Sequence, residues 1–219
     1  MCSVRHLSTT TLLGLFLALI IVLQFGYPLT YLGRPWFLGY QVLYALMFVS
    51  GSFAASESKT QLRINLLSAV VFFAFSVWYA AEPDNPWANL AAYASILPFQ
   101  LSVIYSLLRF VQLQERVTAN TVLAALGIYL LIGAVFVPLY GLVETLQPGS
   151  FVDGVSPNEP VVWQQLMYYS YVTLNTVGYG DIQPVKAWAR SLSTLEAVVG
   201  VLYLAVAIAR LVSLYEREK

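Results

Sequence analysis

Residues 173–181 read TLNTVGYGD, and the way this stretch is understood decides how the rest of the chain is understood. Gly178 and Gly180 stand at alternate positions within it. Glycine reaches φ > 0 without the steric penalty that other residues meet. A Thr-Val-Gly-Tyr-Gly segment can therefore turn successive carbonyls the same way while leaving them free of the intrachain hydrogen bonds that engage them in a helix or a strand. A row of oxygens aligned in this manner suits a cation.

The flanking sequence supports that reading. Immediately upstream, VVWQQLMYYSYVTLNT is apolar and aromatic but only 16 residues long. Apolar stretches of about 10–14 residues suggest re-entrant or buried segments rather than crossings. Asn158 and Pro160 suit a helix start, with proline in the first turn. The expectation is a short helix that runs inward and ends near Asn175. Its carbonyl end carries a partial charge of about −0.5, which favours a cation beneath it. Further upstream, residues 144–160, ETLQPGSFVDGVSPNEP, are rich in Pro, Gly, Ser and acids and are expected to form an exposed loop.

Composition fixes the surroundings. The 219 residues are 59% hydrophobic and 10% charged, with a mean hydropathy of +0.71. Soluble domains carry about 25% charged residues, so a membrane protein is expected. A formal net charge of zero gives no basic surface for nucleic acid. Cys2 is the one cysteine, which excludes an intramolecular disulfide. His6 is the one histidine, and a zinc site is not expected from it.

Six apolar runs have spanning length, roughly 20 residues each. They lie at about 9–32, 36–55, 62–81, 87–110, 119–143 and 186–214. The first is too long for a signal peptide and lacks a small-x-small cleavage site, so it is read as a retained helix. With both termini cytoplasmic, the inner segments hold Arg5, Lys59, Arg63, Arg109, Arg116, Arg210, Arg217 and Lys219. The outer segments hold only Arg34, Lys186 and Arg190, the bias that the positive-inside rule requires. Glu82, Asp84, Glu144, Asp153, Glu159 and Asp181 fall outside and would concentrate cations at the outer mouth.

A helix, a re-entrant helix, TVGYGD and a second helix together resemble the pore module of potassium channels, over about 119–215. The TVGYG motif is recognised as that family's selectivity filter, not deduced from spacing. The stretch LEAVVGVLYLAVAIARLV is similar to the inner helix of small bacterial potassium channels. The resemblance implies an all-α membrane protein of six transmembrane helices plus a re-entrant pore helix and filter. Residues 1–112 would form a four-helix membrane domain and 113–219 the pore domain, in the cell membrane, a bacterial inner membrane.

By the same resemblance, four copies surround one axis as a homotetramer in lipid. Carbonyls of Thr176, Val177, Gly178 and Tyr179, with the Thr176 hydroxyl, replace the water shell of K⁺. No organic cofactor is implied. Gly178 and Gly180 serve backbone conformation, while Val177 and Tyr179 side chains face away from the ions. Where many members have Trp-Trp, this chain has Tyr168 and Tyr169, whose hydroxyls are expected to reach Asp181 and Tyr179 respectively. Packing of these tyrosines in an interfacial belt is the alternative. Val172 and Asn175 replace a family acid and a family threonine, changes that bear on filter stability.

In the last span, Gly200 matches the family hinge position, or else serves close helix packing. Glu196 lies one turn earlier, where an ionisable group needs a partner. Asn175 or Thr173 is expected to hydrogen-bond it from behind the filter. Leu204, Ile208 and Val212 share a face. They would line an apolar inner vestibule or pack on the fifth span. No nucleophile–base set or phosphate loop points to an enzyme. The fourth span is uncharged until Arg109, so strong voltage gating is not expected. Four unlike pore segments in one chain are disfavoured, because only one is present. A non-conducting partner subunit and a weakly selective cation channel remain the alternatives.

Overall fold

The computed structural model describes residues 9–55 and 59–216. Cys2, His6, Arg5, Arg217 and Lys219, named above, lie outside the described residues. The elements run α1 (Thr9–Gly26), α2 (Arg34–Ala55), α3 (Lys59–Ala81), α4 (Pro86–Leu113), α5 (Ala119–Leu146), β1 (Phe151–Asp153), α6 (Trp163–Leu174), β2 (Ile182–Pro184) and α7 (Ala187–Glu216).

Local chemistry sets the boundaries. A 3₁₀ turn, Tyr27–Leu32, follows α1 with Pro28 at its start, and ends at Gly33, whose φ is +116°. Before α4, Asn85 Oδ1 accepts the Trp87 N–H at 3.0 Å, supplying an orphan donor of the first turn. Thr118 Oγ1 does the same for Thr121 N at 3.2 Å ahead of α5. Pro98 and Pro138 sit inside α4 and α5 without ending them, as membrane helices permit.

Among the described residues, five stretches are long and apolar enough to cross a membrane. They are Thr10–Leu32, Lys59–Ala81, Pro86–Leu113, Ala119–Leu146 and Ala187–Leu214. α2, at 22 residues, is not in that set. The burial of two of these helices differs sharply. In the most apolar part of α5, 61% of residues are buried, against 11% in α7.

The chain forms two compact units, which cut across the expected parts 1–112 and 113–219. The first takes the described residues within 1–69, 99–131 and 207–219. Within it, the Tyr40 hydroxyl donates to the Leu23 carbonyl at 2.7 Å, joining α2 to α1. Gly51 leaves room for Phe16 and Phe99, and a methyl there would collide with the Phe16 ring. Gln61 of α3 donates to Ser106 of α4. Arg210 of α7 donates to the carbonyls of Gln112 and Gln114, at 2.9 and 3.1 Å. A guanidinium at a helix C-terminus meets otherwise unpaired carbonyls and the negative end of the dipole.

The second unit takes Val70–Pro98 and Ile132–Val206. Here the Tyr93 ring of α4 lies on Gly141 of α5, where no larger residue leaves space. The loop expected across 144–160 is more ordered than its composition implies. β1 pairs antiparallel with β2, matching Phe151 to Pro184, Val152 to Gln183 and Asp153 to Ile182. Ser150 and Phe151 are buried. Glu144 holds the turn before β1 by accepting the N–H groups of Gly149 at 2.6 Å and Phe151 at 2.9 Å. The short helix also begins later than Asn158 or Pro160. It starts at Trp163, because Gln165 Oε1 reaches back to the Val162 N–H at 2.8 Å.

Candidate functional site

The backbone of residues 176–180 alternates in sign. Thr176, Gly178 and Gly180 have φ of +56°, +60° and +80°. Thr176 is the one non-glycine residue with positive φ among the described residues. That conformation costs an L-residue roughly 1–2 kcal/mol and concentrates at functional sites. The strain is held by α6, since Thr176 N donates to Thr173 O and Val177 N to Val172 O, each at 2.9 Å. Asn175 caps the helix, with both its backbone and side-chain nitrogens donating to Tyr171 O. Residues 175–180 are all exposed, including Val177 and Tyr179, whose side chains find no pocket in their own chain.

The C-terminal end of this loop is tied down. The Tyr168 hydroxyl donates to Asp181 Oδ2 at 2.7 Å, and the Ile182 N–H reaches Asp181 Oδ1 at 3.0 Å. Gly154 N donates to the Asp181 carbonyl at 2.7 Å. Gln183 Nε2 donates to the Gly180 carbonyl at 2.8 Å.

Tyr169 behaves differently from the expectation that it reaches Tyr179. Its hydroxyl donates to Ser193 Oγ of α7 at 2.7 Å, and its ring is buried. One residue further along α6 than Tyr168, it points about 100° round the helix and so faces α7 instead of the loop. It belongs to a three-ring cluster with Tyr140 and Phe151, whose centroids are 5.1–5.3 Å apart at 65–71°. Edge-to-face geometry of this kind adds about 0.5–1.5 kcal/mol per pair beyond burial.

Glu196 lies beside this cluster and is fully buried. Its partners are not Asn175 or Thr173 but Ser170 and Tyr140. Ser170 Oγ stands 2.5 Å from Oε1, and the Tyr140 hydroxyl donates to Oε2. Ser170 Oγ also stands 2.8 Å from the Gly133 carbonyl, so its single proton faces two acceptors. The register of α7 on α6 explains the correction. Glu196 sits level with the middle of α6, whereas Gly200, one turn later, sits level with its end.

Gly200 approaches Leu174 so closely that an added Cβ would overlap the Leu174 carbonyl oxygen. Close packing therefore accounts for this glycine. Leu204, Ile208 and Val212 are 42%, 60% and 51% exposed, so packing on α5 does not cover them. Sequence reasoning named Asp153 only as an outer acid and passed over Gln165 and Gly154. A polar pair 12 residues apart carries no periodic signal.

Comparison with known proteins bears on the same region. Residues 124–217 match a family model described as an ion channel. The inward rectifier potassium channel Kirbac3.1 of Paramagnetospirillum magnetotacticum is 36% identical over 85 residues, covering 37% of this chain and 25% of that protein. The chain thus spans about a quarter of the length of this curated relative. No solved structure matches the chain. The C-terminal part is similar to ion-channel domains, and with its apolar helices the chain is a membrane protein.

Proposed function

We propose that the chain is one subunit of a potassium-selective channel that conducts K⁺ passively through a pore built from four copies. The observation that carries this reading is the alternation of φ at Thr176, Gly178 and Gly180 in an exposed segment. It supports carbonyls of Thr176, Val177, Gly178 and Tyr179, plus the Thr176 hydroxyl, as the ligands that replace water around K⁺. Kinship with a potassium channel over 85 residues supports the choice of ion.

Assembly follows from what the single chain leaves uncovered. Irregular backbone is tolerated at membrane depth only when protein or a water-filled path covers it. One copy supplies one side of an ion's coordination shell, and a closed ring of identical copies supplies the rest. α7 is long, apolar and almost bare, as an inner helix lining a shared axis requires. Leu204, Ile208 and Val212 would face that axis as an apolar vestibule.

In this reading 113–219 is the pore domain and 1–112 a membrane domain that buttresses it in lipid. α2 makes the sixth crossing, since 22 residues extend about 33 Å against a core of about 30 Å. Both termini are cytoplasmic, the location is the cell membrane, and neither nucleic acid nor enzyme chemistry is involved. The deciding experiment is flux from liposomes holding only the purified chain. K⁺ efflux with Na⁺ excluded is expected. No flux without a partner would leave a non-conducting subunit, and equal Na⁺ and K⁺ fluxes a weakly selective channel.

A further inference from the structure

A closed circuit of hydrogen bonds surrounds the outer end of the 176–180 loop. Gln165 Nε2, in the first turn of α6, donates to Asp153 Oδ2 at 2.6 Å. The next residue, Gly154, donates its N–H to the Asp181 carbonyl at 2.7 Å. Asp181 Oδ2 accepts the Tyr168 hydroxyl at 2.7 Å. Tyr168 is three residues after Gln165, on the same face of α6, and the circuit returns to its start. Asp153 is further fixed by β pairing to Ile182 and by accepting the Val155 N–H at 2.8 Å on Oδ1.

We propose that Asp153 and Gln165 are positioning residues that clamp the outer end of the filter through Gly154 and Asp181. The inference deepens the potassium-channel reading and rests on it. Every other hold on Asp181 comes from Tyr168 or from its own strand. The clamp adds a second, independent attachment to α6, through β1. Half-buried carboxylate–amide bonds of this kind resist exchange with water better than exposed ones. Release of the Gly154 bond frees the Asp181 carbonyl and, with it, the residue following Gly180. The filter then loses its conducting shape more readily when K⁺ is scarce.

The test exchanges the two groups. Gln165→Glu keeps an acceptor for the Val162 N–H, so the helix start survives, but sets a carboxylate against Asp153. Adding Asp153→Asn restores one donor and one acceptor with the roles reversed. Two readouts are followed in the full chain in liposomes: exchange of the Gly154 amide, and decay of K⁺ flux as external K⁺ is lowered. The single variant is expected to speed both by roughly threefold to tenfold, the worth of one such hydrogen bond. The double variant is expected to return both toward wild type. Wild-type behaviour of Gln165→Glu in both readouts, or no recovery in the double variant, overturns the clamp. Faster Gly154 exchange in a protein that carries no K⁺ flux supports the clamp while removing the channel reading.

Discussion

The α-carbon of Gly200 faces the main-chain carbonyl of Leu174, the last residue of α6, with no room between them for a methyl group. Backbone thus meets backbone where the loop 175–180 departs. Gly200→Ala must push Leu174 and the loop start outward. Overpacking of this kind costs about 1–3 kcal/mol. The expected result is a lower unfolding temperature of the assembly and loss of K⁺ flux, measured by thermal size-exclusion and liposome assays. An alanine variant as stable and active as wild type would contradict the close packing.

Glu196 is expected to tolerate glutamine and to resist leucine. A glutamine N–H directed at Ser170 Oγ lets the Ser170 proton go to Gly133, while its carbonyl still accepts from Tyr140. Leucine takes the acceptor from the Tyr140 hydroxyl and leaves Ser170 with the Gly133 carbonyl alone, at about 1–3 kcal/mol in all. Tyr140→Phe removes one donor and should fall between them. Denaturation midpoints of the assembled protein rank the variants. An equal midpoint for Gln and Leu would remove Glu196 from the support of α6.

How much of this was readable in advance follows from the range of each signal. Hydropathy runs located the helices, because twenty apolar residues announce themselves without reference to anything distant. The TVGYGD stretch was readable as a family motif, six consecutive residues whose resemblance needs no distant partner. β1 was not. It is three residues long, and it owes its existence to β2, about thirty residues later, within a segment whose Pro, Gly and acids argue for a loop. The partners of Glu196 and Tyr169 depend on the sliding register of α7 against α6, which helix periodicity leaves open. Composition also hid the start of α6. Gln165 supplied the capping contact at Val162, whereas Pro160 and Asn158 had the stronger prior.

Gly178→Ala is expected to abolish selective flux while leaving membrane insertion intact. At φ +60° a side chain costs roughly 1–2 kcal/mol, and in the proposed four-copy pore each copy would add its share. Space is not the obstacle, since a Cβ there meets no atom within 4 Å of its own chain. Parallel Rb⁺ and Na⁺ uptake measurements on the variant check the expectation. Undiminished selectivity would mean that residues 176–180 do not line the path.

Open probability is expected to change little between about −100 and +100 mV, given about 2.3 kcal/mol per full charge per 100 mV. α4, the helix that would have to carry sensing charges, spans Pro86–Leu113 with Arg109 as its one basic residue, near its end. A charge at that depth crosses little of the field. Single-channel recording in symmetrical K⁺ gives the answer. A steep sigmoidal conductance–voltage curve that disappears in Arg109→Gln would refute it.

The bonds from Arg210 to Gln112 and Gln114 limit where the chain can be spliced. Residues 113–219 look like a portable cassette, yet one of the carbonyls that anchors the end of α7 belongs to the residue just before it. A chimera joined at 112/113 keeps Gln114 but gives Arg210 a foreign main chain in place of Gln112. Moving the junction upstream of Arg109 transplants the whole last turn of α4 with its anchor. The longer graft should assemble and open like the parent, and the shorter one should not. A cut that keeps both anchors of Arg210 therefore falls inside α4 rather than in the linker that follows it.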